Sequence, residues 1–231
     1  MKILITGGTG FVGTQLTSRL IQDRHEVTIL TRSLKGAKGS SPGISYLEGD
    51  PIKKGPWQEA IKNHDAIINL AGASIFSKWT DEHKKAIRES RVNTTQNIVE
   101  GIPPHPEKKI ALLSTSAVGY YGFCGDEELV EDSPPGNDFL ARIAVEWEGE
   151  ALKAREKGAR VVMTRFGIVL GEKGGALSQM IPLLRDISEG RLGVETSGSH
   201  GFTSKTLRRR LFSLRNTRKF QVLSPYVLRI Q

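Results

Sequence analysis

"MKILITGGTGFVG", residues 1–13, decides the fold. A short apolar run, "KILIT" (2–6), feeds directly into Gly7, Gly10 and Gly13, and an amphipathic stretch with Phe11, Val12, Leu16 and Leu20 follows. A strand that turns sharply into a helix needs backbone conformations that side chains resist. A Cβ at the middle glycine would also hold a pyrophosphate away from main-chain N–H groups. The helix then presents unpaired donors and the positive end of its dipole to an anion. The stretch therefore predicts a dinucleotide cradle, with Gly7, Thr9, Gly10, Phe11, Val12 and Gly13 as its candidate residues. A tight strand-to-helix turn with no ligand is the plainer alternative.

Outward from this loop the chain alternates. Apolar runs "EVTIL" (26–30), "ISYLE" (44–48), "DAIINLAG" (65–72), "KIALLSTS" (109–116) and "ARVVMTRFG" (159–167) are separated by helical stretches near 11–23, 56–63, 80–101, 137–157 and 175–188. Short continuous apolar strands between helices predict a parallel sheet covered on both faces, an α/β, Rossmann-type doubly wound architecture. "GIPPHPEKK" (101–109) ends a long helix because consecutive prolines cannot continue it. "SLKGAKGSSPG" (33–43) reads as a mobile Gly/Ser loop.

The end of the second strand selects the nucleotide. An NAD-binding chain places Asp or Glu there for the ribose 2′-hydroxyl, whereas "TILTRS" has Thr31 and Arg32 and no acid. Arg32 can pair with a 2′-phosphate, and Lys35 and Lys38 add to the local field, so NADP is expected, with NAD the lesser alternative.

The bulk composition is that of a globular chain: 38% hydrophobic, 25% charged, one cysteine and a net charge of +8. Lys and Arg total 33 against 25 Asp and Glu, and eight of the basic residues fall in 197–231, where there is no acid. The body is thus neutral and only the tail is basic. Cys124 alone can form no internal disulfide and fits a reducing, cytoplasmic setting. No run reaches the ~18 apolar residues of a membrane span. Nucleic acid is the weakest of the partners considered, since the "RRR" of the tail lacks interleaved aromatics. His64, His83 and His105 lack metal-ligand spacing. The charged "WTDEHKKAIRESR" (79–91) and "DEELVEDSPP" (126–135) read as solvated surfaces.

Taken together, "TGGTGFVG" (6–13), "NLAG" (69–72), "RVNTTQNIVE" with Asn93, "STSAVGYYG" (114–122) and "TRFGIVLG" (164–171) resemble the extended or atypical short-chain dehydrogenase/reductases of the NAD(P)-dependent epimerase/dehydratase family. The likeness is greatest to a subgroup of epimerases whose substrate is unassigned. The resemblance implies that Leu70, Ala71 and Gly72 pass beside the adenosine ribose and that Asn93 pins a backbone or water position. It implies that Ser116 bonds the substrate oxygen, on a small polar substrate, in a chain able to form a homodimer. It also implies a small C-terminal substrate domain, which is missing or incomplete here. On this reading 1–192 is the nucleotide-binding domain, and 193–231 is a basic tail, truncated or frame-shifted, that fits no strand of the sheet.

One family feature is lacking. Proton transfer in the superfamily uses a tyrosine and a lysine four residues on, the cation keeping the phenol reactive. The tyrosines here are Tyr46, Tyr120, Tyr121 and Tyr226, followed at that spacing by Asp50, Cys124, Gly125 and Ile230. In "DFLARIAVEWEGEAL" (138–152), alignment on Trp147 and Glu148 puts Leu140 and Ala144 at the places of the pair. Tyr120 or Tyr121 donates the proton instead, or both merely line the pocket. A binding protein without turnover is the rival reading.

Overall fold

A computed structural model describes residues 1–36, 42–106, 108–125, 128–171, 174–175 and 221–223. Met1–Phe166 forms one compact unit and Gly167–Pro225 a second.

The first unit is a six-stranded sheet in which every pairing is parallel: β1 (Lys2–Thr6), β2 (Glu26–Thr31), β3 (Ile44–Glu48), β4 (Ala66–Asn69), β5 (Ala111–Ala117) and β6 (Arg160–Phe166), ordered β3-β2-β1-β4-β5-β6. Three α-helices flank it: α1 (Phe11–Gln22), α2 (Asp81–Gly101) and α3 (Phe139–Leu152). The sheet has two apolar faces because strand side chains alternate. Leu4, Leu30, Ile67, Leu112 and Val161 lie on one face with Ile98 and Val99 of α2 and Ala151 of α3. Ile3, Ile5, Val27, Ile29, Ala66 and Ile68 lie on the other, against Leu16 and Leu20 of α1. Burial on both faces is why these strands read as unbroken apolar runs rather than alternating ones.

Strand order reverses between β1 and β4, the two neighbours whose connections leave toward opposite edges. In such sheets the crevice beyond their carboxyl ends is the binding position.

Four sequence expectations change. β4 stops at Asn69 instead of running to residue 72, because the Asn69 side-chain oxygen takes the Ala71 N–H (3.4 Å) and the Ser90 hydroxyl takes that of Ala73 (2.8 Å). Both donors are thus drawn out of the strand ladder. Pro56–Asn63 is a 3₁₀ segment, pinned by the Trp57 indole donating to Lys53 O at 3.0 Å. The helix expected over 137–157 is α-helical only to Leu152, continues as a 3₁₀ turn through Lys157 and ends at Gly158, whose φ of +85° is a left-handed stop. Part of the tail does form a strand: β9 (Gln221–Leu223) pairs antiparallel with β7 (Ile168–Gly171), which also pairs with β8 (Gly174–Gly175), in the second unit. The helix expected at 175–188, the boundary at 192, Lys38 and most of the basic tail lie outside the described residues. Among the described residues, no helix is long and apolar enough to cross a membrane.

Candidate functional site

The glycine loop stands at the carboxyl end of β1, beside the exit of β4. Gly7 has φ +69°, and a Cβ there would lie 2.7 Å from the carbonyl carbon of Leu70, so the loop and the β4 exit are in backbone contact. A Cβ on Gly13 would meet Gly7 O at 2.3 Å, which lets the first turn of α1 close onto the loop. Gly10 differs: its Cβ would meet only Gly7 O, at 3.2 Å. Its outer side is open, and no side chain caps the helix that begins there. A cradle of this form admits a diphosphate against main-chain amides, so the residues present fit a dinucleotide. Thr9 and Gly10 are exposed, and Phe11 and Val12 half-buried, around the same mouth.

Beside the cradle, Arg32 is exposed just past β2 and makes no hydrogen bond or ion pair with any described residue. Lys35, in the following 3₁₀ turn, is exposed as well. On the other flank, Leu70 and Ala71 are half-buried and Gly72 is exposed.

What holds this flank comes from α2. Arg91 donates to Ala73 O at 3.1 Å and to Ile87 O at 3.0 Å, its guanidinium 5.6 Å from the Trp147 ring centroid. Burial makes the Arg91 cation easier to deprotonate than an ordinary arginine. The stretch 79–91 is therefore not simply a solvated face, because Ile87, Ser90 and Arg91 turn inward beneath the loop. Asn93 is half-buried and its side chain bonds no described residue. The buried polar link to the sheet centre is made by Asn69, which accepts from the Thr6 hydroxyl (2.7 Å) and donates to that of Thr95 (2.8 Å).

Ser116, at the carboxyl end of β5, is 1% exposed, and its hydroxyl donates to Glu148 Oε1 at 2.5 Å. A hydroxyl has one proton, so toward any ligand this oxygen is left as an acceptor. Glu148 in α3 is in turn gripped by Arg165 of β6 in a bidentate pair, Nε to Oε1 and Nη2 to Oε2, both at 2.8 Å. The hydrogen bond to Glu148 is the main reason Arg165 holds its proton more tightly than an ordinary arginine.

Arg165 reaches two further groups. Its Nη1 donates to the Tyr121 hydroxyl and to Glu131 O, both at 2.7 Å, and its Cζ lies 3.6 Å from the Tyr120 ring centroid. The structure thus joins Ser116, Tyr120 and Tyr121 through two residues the motif reading passed over. The signal was the "WE" and "TRFG" stretches themselves, which placed Glu148 and Arg165 inside matched motifs.

Leu140 and Ala144 occupy α3 as apolar packing, Ala144 at 4% exposure. Leu140 abuts the 3₁₀ turn Val118–Tyr121, its Cβ 3.8 Å from where one on Gly119 would lie. Cys124 is free and exposed, and among the described residues no acidic, histidine and cysteine side chains gather as a metal site.

The chain is 39% identical over 205 residues to the Epimerase family protein SDR39U1 homolog, chloroplastic, of Arabidopsis thaliana, covering 88% of this chain and 58% of that protein. Among solved structures it is similar to the human epimerase family protein SDR39U1, isoform 2, with NADPH: 33% identity, TM-score 0.62, covering 80% of this chain and 60% of that one. It is also similar to a nucleoside-diphosphate sugar epimerase from Corynebacterium glutamicum, at 36% identity and TM-score 0.65, covering 84% of this chain and 39% of that one. The chain therefore spans well under two thirds of each of these relatives. The match to the family itself runs over residues 3–211, past the last motif legible by eye at 164–171. With a parallel sheet, a glycine cradle at its switch point and this likeness over most of its length, the chain belongs to the NAD dependent epimerase/dehydratase family.

Proposed function

We propose that this protein binds NADP(H) in the cleft between the glycine loop and the β4 exit, and acts as an oxidoreductase of the epimerase type on a small polar substrate. The observation that carries the nucleotide choice is Arg32: an exposed guanidinium with no partner among the described residues, at the position where an NAD-binding chain needs an acid. The NADPH in the human relative supports the same choice.

Gly7, Thr9, Gly10, Phe11, Val12 and Gly13 would hold the diphosphate. Leu70, Ala71 and Gly72 would border the adenosine ribose, steadied from below by Arg91. Arg32 would meet the 2′-phosphate. The bound nicotinamide supplies the hydride chemistry, and the protein supplies placement and charge. Asn93, half-buried and without a bond to described residues, keeps its amide for a backbone or water position in the cleft. Ser116, Tyr120 and Tyr121 form the candidate reacting edge.

Equilibrium titration of wild type and Arg32→Ala with NADPH and NADH tests this. A charge-assisted phosphate contact is worth about 1.5–3 kcal/mol, so the substitution should weaken NADPH by about 10- to 100-fold and leave NADH unchanged. Equal loss for both nucleotides would remove the role given to Arg32. A second reading, binding without turnover, is favoured by Leu140 and Ala144 standing where the acid–base pair belongs. Bound NADPH that no carbonyl compound oxidises would support it.

A further inference from the structure

We propose that Tyr121 is the proton donor of this site and that Arg165 is its positioning cation, a pair assembled from the β5 turn and β6 in place of the one missing from α3. The inference rests on the coenzyme reading above.

The geometry separates the two adjacent tyrosines. Tyr120 offers Arg165 its ring face, with the guanidinium carbon 3.6 Å from the centroid, so that residue serves as a platform. Tyr121 offers its oxygen, which accepts from Nη1 at 2.7 Å. A phenol oxygen that accepts from a cation directs its own hydrogen away from that cation, toward whatever lies beyond. When the proton leaves, the charge left on the oxygen sits against a fixed positive group.

Arg165 is immobilised for this work. A guanidinium has five N–H donors; two go to Glu148, one to Tyr121 and one to Glu131 O. The turn is equally constrained. Gly122 follows at φ +71°, Gly136 packs so closely that its Cβ would meet Tyr121 O at 2.7 Å, and Gly136 N donates to Tyr120 O at 2.9 Å. Leu140, at the helix position from which the usual tyrosine would act, packs on this same turn at Gly119. Ser116 cannot take the donor role, because its proton belongs to Glu148.

The balance is simple. Bound reduced coenzyme would supply a hydride, one proton with two electrons, to the carbonyl carbon and be oxidised, while the π pair of the C=O bond moves to the oxygen. The Tyr121 O–H bond breaks, an O–H bond forms on the substrate oxygen, and solvent returns a proton to Tyr121.

The test uses the full chain in a Cys124→Ser background, since the nitrating reagent also oxidises thiols. Variants are Tyr121→Phe, Tyr120→Phe, Arg165→Lys, and Arg165→Met combined with Glu148→Gln so that no buried carboxylate is left unpaired. Three quantities are read: NADPH affinity by fluorescence, tetranitromethane nitration of each tyrosine by mass spectrometry, and NADPH oxidation with 9,10-phenanthrenequinone as the carbonyl probe.

NADPH affinity should be unchanged in every variant. Tyr121 should be nitrated faster than Tyr120, and about tenfold slower in the Arg165→Met/Glu148→Gln protein, with Arg165→Lys restoring much of the rate. Tyr121→Phe should lower kcat about 100-fold with little change in KM, whereas Tyr120→Phe, which keeps the ring face under Arg165, should lower kcat no more than about tenfold. Nitration of Tyr121 no faster than Tyr120, nitration indifferent to Arg165, quinone turnover absent from wild type that binds NADPH, or kcat intact in Tyr121→Phe would each overturn the pair. Wild type that fails to bind NADPH would instead remove the coenzyme reading, and this proposal with it.

Discussion

Gly13 has no room for a methyl group. Its Cβ would stand 2.3 Å from Gly7 O and 2.6 Å from Gly8 Cα, both backbone atoms that cannot swing aside. Gly13→Ala should therefore cost about 1–3 kcal/mol of stability and pull the helix off the loop. Denaturant unfolding with an NADPH titration measures both, and an unaltered NADPH affinity would mean that the loop is not the cradle. This requirement was legible in the sequence, because a strand, a glycine turn and a helix are local events within a dozen residues. The grip on Ser116 was not. Glu148 lies 32 residues from Ser116 and 17 from Arg165, and nothing in the spacing of three residues on β5, α3 and β6 announces that one carboxylate serves both others.

Among the elements, α2 shows where amphipathic reading goes astray. Thr80 caps its start by accepting from His83 N, as a threonine before an acidic first turn should. Its last turn carries no basic residue, yet two of its terminal carbonyls find a cationic donor from elsewhere in the chain. Lys157, in the 3₁₀ turn after α3, donates to Val99 O, Glu100 O and Ile102 O at 2.8, 2.9 and 2.8 Å. Lys157→Met keeps the aliphatic stem and removes the donor from all three carbonyls. Among the described residues, Val99 O alone of these keeps a backbone bond, from Ile102 N at 3.2 Å. The urea midpoint should therefore fall by the equivalent of about 1–3 kcal/mol. A midpoint within error of wild type would show that water replaces the ammonium at no cost. Arg91 makes the same point from the inside of the helix: charged residues at helical spacing read as solvated until a neighbouring loop is found to need a donor.

For the whole molecule, a ligand that binds only the folded state stabilises it by mass action, about 2.7 kcal/mol at a concentration 100 times Kd. NADPH should therefore raise the thermal midpoint progressively with concentration, and more than NADH at equal concentration. A midpoint that neither nucleotide moves would argue against the cleft as a coenzyme site. From the sequence alone came the parallel α/β sheet, the cradle at its first turn, the arginine at the end of β2 and the loss of the tyrosine–lysine pair, because each depends on residue type and short spacing. Only the folded chain decided that β4 stops at Asn69, that Arg91 supports the loop beyond it, and that Glu148 and Arg165 gather Ser116, Tyr120 and Tyr121 into one network. Those outcomes depend on which strand ends lie side by side, and proximity across a sheet is created by folding rather than written in any single stretch.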